Sequence, residues 1–294
     1  MTEIVPTASF SDHLFATLQY VLPKRLLSRF IYAVARNESP TLRRLLIENF
    51  LRGYRVNMAE AAQHDPLAYR SFNEFFTRAL RDGSRPIAAD PLAIASPVDG
   101  AVSQCGPLHD QAILQAKGHS YSLTALLAGD QAAVETYRNG SFACVYLAPF
   151  NYHRIHMPAA ARLRSSVYVP GDLFSVNAAT ARAVAGVFAR NERLICDFDS
   201  SFGRMAVILV GALFVGSIET VYCGEVNPPP RRGKSPHAIA TGAGREFRKG
   251  EELGRFNMGS TIVLLFQNNR VRWHDFLIPE ATVRLGQSIG HAAA

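Results

Sequence analysis

Beyond residue 90 the chain is written in short apolar runs, rich in β-branched residues and separated by Gly, Pro and Asn, and this punctuation rules out a helical bundle. The runs at 142–147, 163–169, 194–198, 205–210, 212–218, 262–266 and 282–285 are four to seven residues long. That length suits strands, and their frequency predicts a mainly antiparallel sandwich or barrel. Helical interruptions are expected at 123–127 and 179–188. The run 262–266 (IVLLF) reads as a buried strand, and Gly259-Ser260-Thr261 stands directly before it. Ser260 is therefore placed where a flexible turn meets the edge of a rigid sheet. A Gly-Ser pair in that position is also ordinary turn chemistry.

The front of the chain has a different period. From residue 11 to about 54 the apolar positions repeat helically: Leu14, Leu18, Val21 and Leu22, then Leu27, Phe30, Ile31 and Val34, then Leu42, Leu45, Leu46 and Phe50. Pro23 interrupts the first stripe, and Ser39-Pro40 reads as an N-cap with a first-turn proline. Ser71 and Glu74 form a capping-box pattern before a helix expected over 72–80, which Arg85-Pro86 ends. The expectation is an α+β chain, with a helical region at 1–88 packed on a β-rich catalytic body at 89–294. Residues 1–58 carry eight basic against four acidic side chains, a net +4. Basic amphipathic helices of this kind suit an anionic membrane surface, and equally a set of helices packed on the body with a solvated basic face.

At 294 residues with 48% hydrophobic and 19% charged side chains, the chain has ample material for a core. The formal charge of +7 points to an anionic partner, for which nucleic acid and acidic membrane both qualify. No nucleic-acid module is recognisable, so no such partner is expected. Cys105, Cys144, Cys196 and Cys223 are scattered without a C-x-x-C pair, which favours reduced thiols and gives no support to a zinc knuckle or other metal site. The N-terminus shows no secretory signal pattern. The longest uncharged apolar run, 205–218, has 14 residues and contains Gly211 and Gly216. It is too short to span a bilayer and is expected to form two adjacent core strands.

Three patches hold residue types that do chemistry. Asp99-Gly100 follows Ser96-Pro97-Val98 and also reads as a hairpin turn. His153 and His156 lie three apart, which on a strand points them to opposite faces. The third patch is Gly259-Ser260. Together Asp99, His156 and Ser260 compose a relay in which Asp99 orients His156 and His156 takes the proton of Ser260. No G-x-S-x-G elbow is present, which weakens an ordinary esterase reading. A serine hydrolase acting on an external ester or amide through these three residues stays open as the alternative. So does a non-catalytic membrane-binding β-scaffold.

The chain resembles the bacterial phosphatidylserine decarboxylases of the short, pyruvoyl-dependent type. The segments that carry the resemblance are LQYVLPK (18–24), SFNEFFTRALRDGSRPI (71–87), SPVDG (96–100), LQAKGHSYSLTALLAG (114–129), YHRIHMP (152–158), YVPGDLFSVN (168–177), LFVGSIETV (213–221) and KGEELGRFNMGST (249–261). Where the family usually has Leu-Gly-Ser-Thr, this chain has Met258-Gly259-Ser260-Thr261, a near-isosteric apolar swap. The resemblance implies self-cleavage at Gly259-Ser260 into a β chain (1–259) and an α chain (260–294). In that scheme Ser260 attacks the Gly259 carbonyl, glycine letting the backbone bend into a strained turn, and elimination then splits the chain. Hydrolysis leaves a covalent pyruvoyl group derived from Ser260, which takes the substrate amine as a Schiff base. His153, beside the same motif, is the candidate proton donor in the decarboxylation that yields phosphatidylethanolamine and CO2, a surface or structural histidine being the other reading. Phosphatidylserine in the membrane is then the substrate and partner, and the protein is expected at the cytoplasmic side of the cell membrane, peripherally bound. A homodimer is expected.

Overall fold

The seven residues of the Ser260–Phe266 strand are all buried, because both faces of this strand are covered by a core. Ile262, Leu264 and Phe266 enter one apolar cluster. Val263 and Leu265 enter a second. Two-sided burial explains the unbroken apolar run, since neither face needs polar side chains. The two neighbouring strands, Ser141–Leu147 and Gly203–Val210, pair antiparallel on either side and alternate between the same two clusters.

The computed structural model describes residues 8–116, 119–214, 216–230, 233 and 235–293. Residues 117, 118 and 215 of the family-like segments, 231, 232 and 234 of the Pro/Gly-rich stretch, and the two chain ends lie outside the described residues. The large antiparallel sheet continues outward through Arg193–Ser200, Ala161–Val169 and His237–Ala238 on one side. On the other it continues through Gly100–Pro107 and Thr282–Val283. Its path is open at both ends, so the body is sandwich-like and not a closed barrel among the described residues. Short helices, including Leu123–Leu126 and Val187–Arg190, cover one face. The other face packs on two smaller sheets, one ordered Gly224–Glu225, Ile218–Thr220, Glu252–Phe256, Arg154–His156, the other Ala93–Ala95, Ser288–Ala292, Val271–Trp273.

Helices α1 (Phe10–Val21), α2 (Lys24–Ala35), α3 (Pro40–Gly53) and α4 (Phe72–Phe76) form the front. Helix α1 is inside-out, and α2, whose Leu27, Ile31 and Val34 are half-buried, is so in part. The buried residues of α1 are Asp12, Ala16 and Gln19. Asp12 pairs with Arg182, and Gln19 bonds Thr180 and the Ser175 N–H. Leu14, Leu18, Val21 and Leu22 face outward, as do Leu26 and Phe30 on α2. Helix α3 behaves conventionally, burying Ile47 and packing Leu46 and Phe50 on Phe72, Phe75 and Phe76.

The run expected as a strand at 212–218 is not one; only Ile218–Thr220 pairs. The Leu213 N–H donates to the Phe174 carbonyl and the Gly216 N–H to the Asn257 carbonyl, single bonds to two distant segments and not the successive bonds of a ladder. The helix expected at 179–188 is two short ones, Ala178–Ala183 and Val187–Arg190, interrupted where Gly186 adopts a left-handed conformation (φ 67°). Helix α4 stops at Phe76, short of the expected residue 80. Its capping box is split: Ser71 Oγ accepts from the Glu74 N–H, while Glu74 accepts from Arg70 and not from Ser71.

Candidate active site

Ser260 is the first residue of its strand, pairs with Leu147 and is wholly buried. Its Oγ has no hydrogen-bond partner. An unpaired buried hydroxyl costs about 1–3 kcal/mol, so nothing in the packing calls for a serine here. The turn that presents it is pinned two residues upstream. Buried Asn257 donates from its N–H to the Ser217 carbonyl and accepts from Gly216 at its own carbonyl. Its side chain donates to Ser217 Oγ (2.8 Å) and accepts from Asn73 Nδ2 (3.0 Å). Between this anchor and Gly259, Met258 has φ 103°, a left-handed conformation strained for a residue with a Cβ. The strain expected at glycine therefore sits on Met258. Gly259 lies outside the left-handed region, and a Cβ built there meets nothing within 4 Å.

The Arg154–His156 strand pairs with Glu252–Phe256, which leads into this turn. His153, fully buried, packs on Phe76 with ring centroids 4.2 Å apart. Its Nδ1 lies 2.9 Å from the Asn151 carbonyl, which only accepts, so Nδ1 carries the proton and Nε2 is a bare base. That Nε2 has no partner. Burial pushes its pKa down to about 3. His156 is only half-buried. Its Nδ1 donates to the Gly250 carbonyl at 2.8 Å, leaving Nε2 to accept from the Tyr152 hydroxyl at 3.1 Å. Desolvation lowers its pKa as well. Both imidazoles are thus neutral near pH 7, with Nε2 as the basic atom.

The expected contact of Asp99 with His156 is absent. Asp99 is engaged by Arg85, which reaches Oδ1 from Nε (2.9 Å) and Oδ2 from Nη2 (2.7 Å), and by the Leu285 N–H at 2.8 Å. Arg85 also bonds Glu60 at 2.8 Å, and these two carboxylates together raise its pKa. The physical reason is competition: a bidentate guanidinium outbids a neutral imidazole for a buried carboxylate. A backbone carbonyl, that of Gly250, orients His156 instead. Asp99 still acts on His156 through space, favouring its protonated form. Residue types alone did not reveal Asn257, Tyr152 or Arg85; the Arg85-Pro86 pair signalled only a helix end.

Taken together, these features define a class: a β-rich chain with a serine sealed in the core at the head of a strand, and two neutral histidines at the strand segment that pairs with the strand leading to it. A family model described as phosphatidylserine decarboxylase matches residues 72–291, and a second, described only as PSD, matches 14–55. A phosphatidylserine decarboxylase proenzyme of Azotobacter vinelandii is 50% identical over 283 residues, covering 96% of this chain and 99% of the relative. Proteins of the same name from Methylococcus capsulatus (49% over 284 residues, 96% of this chain, 98% of the relative) and Bordetella pertussis (47% over 286, 97% and 96%) are similarly close. The chain belongs to the phosphatidylserine decarboxylase family.

Proposed function

We propose that this protein decarboxylates phosphatidylserine to phosphatidylethanolamine and CO2, after cutting its own backbone at Gly259-Ser260 into chains 1–259 and 260–294. The observation that carries the reading is the burial of Ser260, whose Oγ has no exposure and no partner. An external ester does not reach such a hydroxyl, which disfavours the serine hydrolase. The carbonyl of Gly259, one bond away in the chain, is always at hand. The strain at Met258 loads the same turn.

In the self-cleavage His156 takes the Ser260 proton on Nε2, in exchange for the hydrogen bond that Tyr152 donates there, with the ring held by the Gly250 carbonyl and the charge of Asp99 favouring the imidazolium through space. Oγ attacks the Gly259 carbonyl to give an ester. Elimination frees the Gly259 carboxylate and leaves dehydroalanine at 260. Water then replaces the amine nitrogen, which departs as ammonia, leaving a pyruvoyl end. The site fits that group, because the orphaned Oγ marks a place in the core where a small polar substituent stands without competing partners. When formed, the ketone supplies an electron sink for the carbanion left as CO2 departs. His153, confined against Phe76, is assigned the return of a proton to the substrate carbon. One observation favours a second division of labour: His153 Nε2 and Ser260 Oγ are both buried and unpartnered, so His153 is the alternative base.

The outward apolar faces of α1 and α2, with exposed Arg25 and Arg29 beside them, favour peripheral docking on an anionic membrane at its cytoplasmic side. Among the described residues no helix is long and apolar enough to cross a membrane. We assign 1–88 to this docking and 89–294 to catalysis. A homodimer belongs to the same reading and is checked by sedimentation in detergent. A denaturing gel tests the cleavage: wild type gives two chains and Ser260→Ala one. If His156→Ala cleaves normally and His153→Ala does not, the base is His153. An unbroken, active wild type sinks the reading.

A further inference from the structure

A cavity of about 190 Å3 is lined among others by Asp99, Asn151 and Tyr152. Asn151 accepts from His153 and Tyr152 donates to His156, so the cavity wall is one residue removed from both rings. Four arginines (Arg55, Arg78, Arg85, Arg284) line it against two carboxylates (Glu60, Asp99). Arg85 is already committed to both carboxylates. Arg55 and Arg284 are exposed, whereas Arg78 is 5% exposed.

Arg78 is the anomaly. Its Nε and Nη1 are buried without a hydrogen-bond partner; Nη2 makes a long 3.4 Å bond to the Phe150 carbonyl, and the guanidinium lies 5.6 Å from the centre of the Phe75 ring, a contact that supplies no acceptor. No carboxylate forms an ion pair with it among the described residues. A second deeply buried arginine shows what a structural one looks like: Arg193 spends all three nitrogens on the carbonyls of Ala125, Leu126, Ala189 and Asn191 at 2.6–3.0 Å. A buried guanidinium with two idle nitrogens is costly to keep unless an anion completes it. Burial already lowers the pKa of Arg78, as an incomplete environment would.

We propose that Arg78 binds the phosphodiester of the lipid substrate's head group, with Arg55 and Arg284 at the cavity's outer side. This rests on phosphatidylserine being the substrate. The substrate offers two anions, and the chemistry chooses between them. A guanidinium on the carboxylate would stabilise the charge that must vanish as CO2 leaves, and so slow the reaction. The phosphodiester keeps its charge throughout, so gripping it adds binding without opposing the chemistry. The cavity is smaller than the 300–1,000 Å3 of typical drug-sized sites, the scale of a head group and not of a whole lipid.

The test measures decarboxylation by matured enzyme, normalised to cleaved chain, against phosphatidylserine in neutral-detergent micelles. Arg78→Gln should raise KM about tenfold to a hundredfold, the worth of a charge-assisted hydrogen bond, with a smaller change in kcat; Arg78→Lys should fall between. In wild type, which needs no variant to fold, glycerophosphoserine should compete at least ten times better than L-serine. An Arg78→Gln KM within twofold of wild type overturns the proposal, as does glycerophosphoserine no better than serine. If inorganic phosphate inhibits wild type, Arg78→Gln abolishes that inhibition and KM is unchanged, the cavity belongs to free phosphate and the lipid assignment is wrong. Wild type that releases no CO2 removes the substrate reading itself, a separate outcome.

Discussion

His153 is a base that the fold keeps from ionising. Its folded pKa of about 3 lies below the ordinary histidine value, so between the two the unfolded chain binds a proton that the native state refuses. Stability therefore rises with pH across that window, by up to about 1.4 kcal/mol per pH unit. Urea unfolding should show wild type losing more stability than His153→Gln between pH 6.5 and pH 5; equal losses contradict the burial. Arg85 and Asp99, each with 9% side-chain exposure, form the opposite kind of site, a charge pair that is costly to break and cheaper to remove. Asp99→Asn alone should cost about 3 kcal/mol or more. Combined with Arg85→Gln, the loss should be well below the sum of the singles. Additive urea midpoints would mean that the pair is not coupled. At this scale the sequence revealed little. Asp99, His156 and Ser260 were visible as reactive types, but hydrogen-bond geometry and not residue type decides that Asp99 faces Arg85.

The turn 257–259 joins two strands and concentrates its strain at Met258. Asn257 ties it to Asn73 in α4 and to Ser217, which explains physically why the family-like segments 71–87 and 213–221 both matter to a serine at 260. Met258→Gly removes the penalty of the left-handed conformation, so self-cleavage in a cell-free time course should slow severalfold; an unchanged rate means the strain is idle. The Ser260–Phe266 strand was legible because two-sided burial leaves an unbroken apolar run. The stretch 212–218 misled for a different reason: Ala212 and Ile218 are buried, but Phe214 is 40% exposed, and Gly216 approaches the Asn257 carbonyl so closely that an added Cβ would stand 3.0 Å from it. An apolar composition is blind to where the N–H groups go.

Across the whole molecule, the proposed membrane docking rests on the outward apolar side chains of the helical front. The helical stripes of α1 and α2 were readable, but not the side they face, since an apolar stripe looks the same toward a core as toward a membrane. The answer lies in Asp12 and Gln19, polar side chains bonded inward while Phe10 (85% exposed) and Val21 (77%) face out. Leu18→Asp and Phe30→Asp should each weaken sedimentation with anionic vesicles about tenfold or more, from the apolar burial lost, without lowering the melting temperature. Undiminished binding would place the membrane contact elsewhere.

The whole account turns on whether Ser260 becomes the new end of a second chain. Intact-mass measurement of the small fragment from purified active protein decides it. The account predicts a fragment beginning at residue 260, lighter by one ammonia than the same peptide with an N-terminal serine. Active protein that yields only the full-length chain, or a fragment with an unmodified serine at its head, contradicts it.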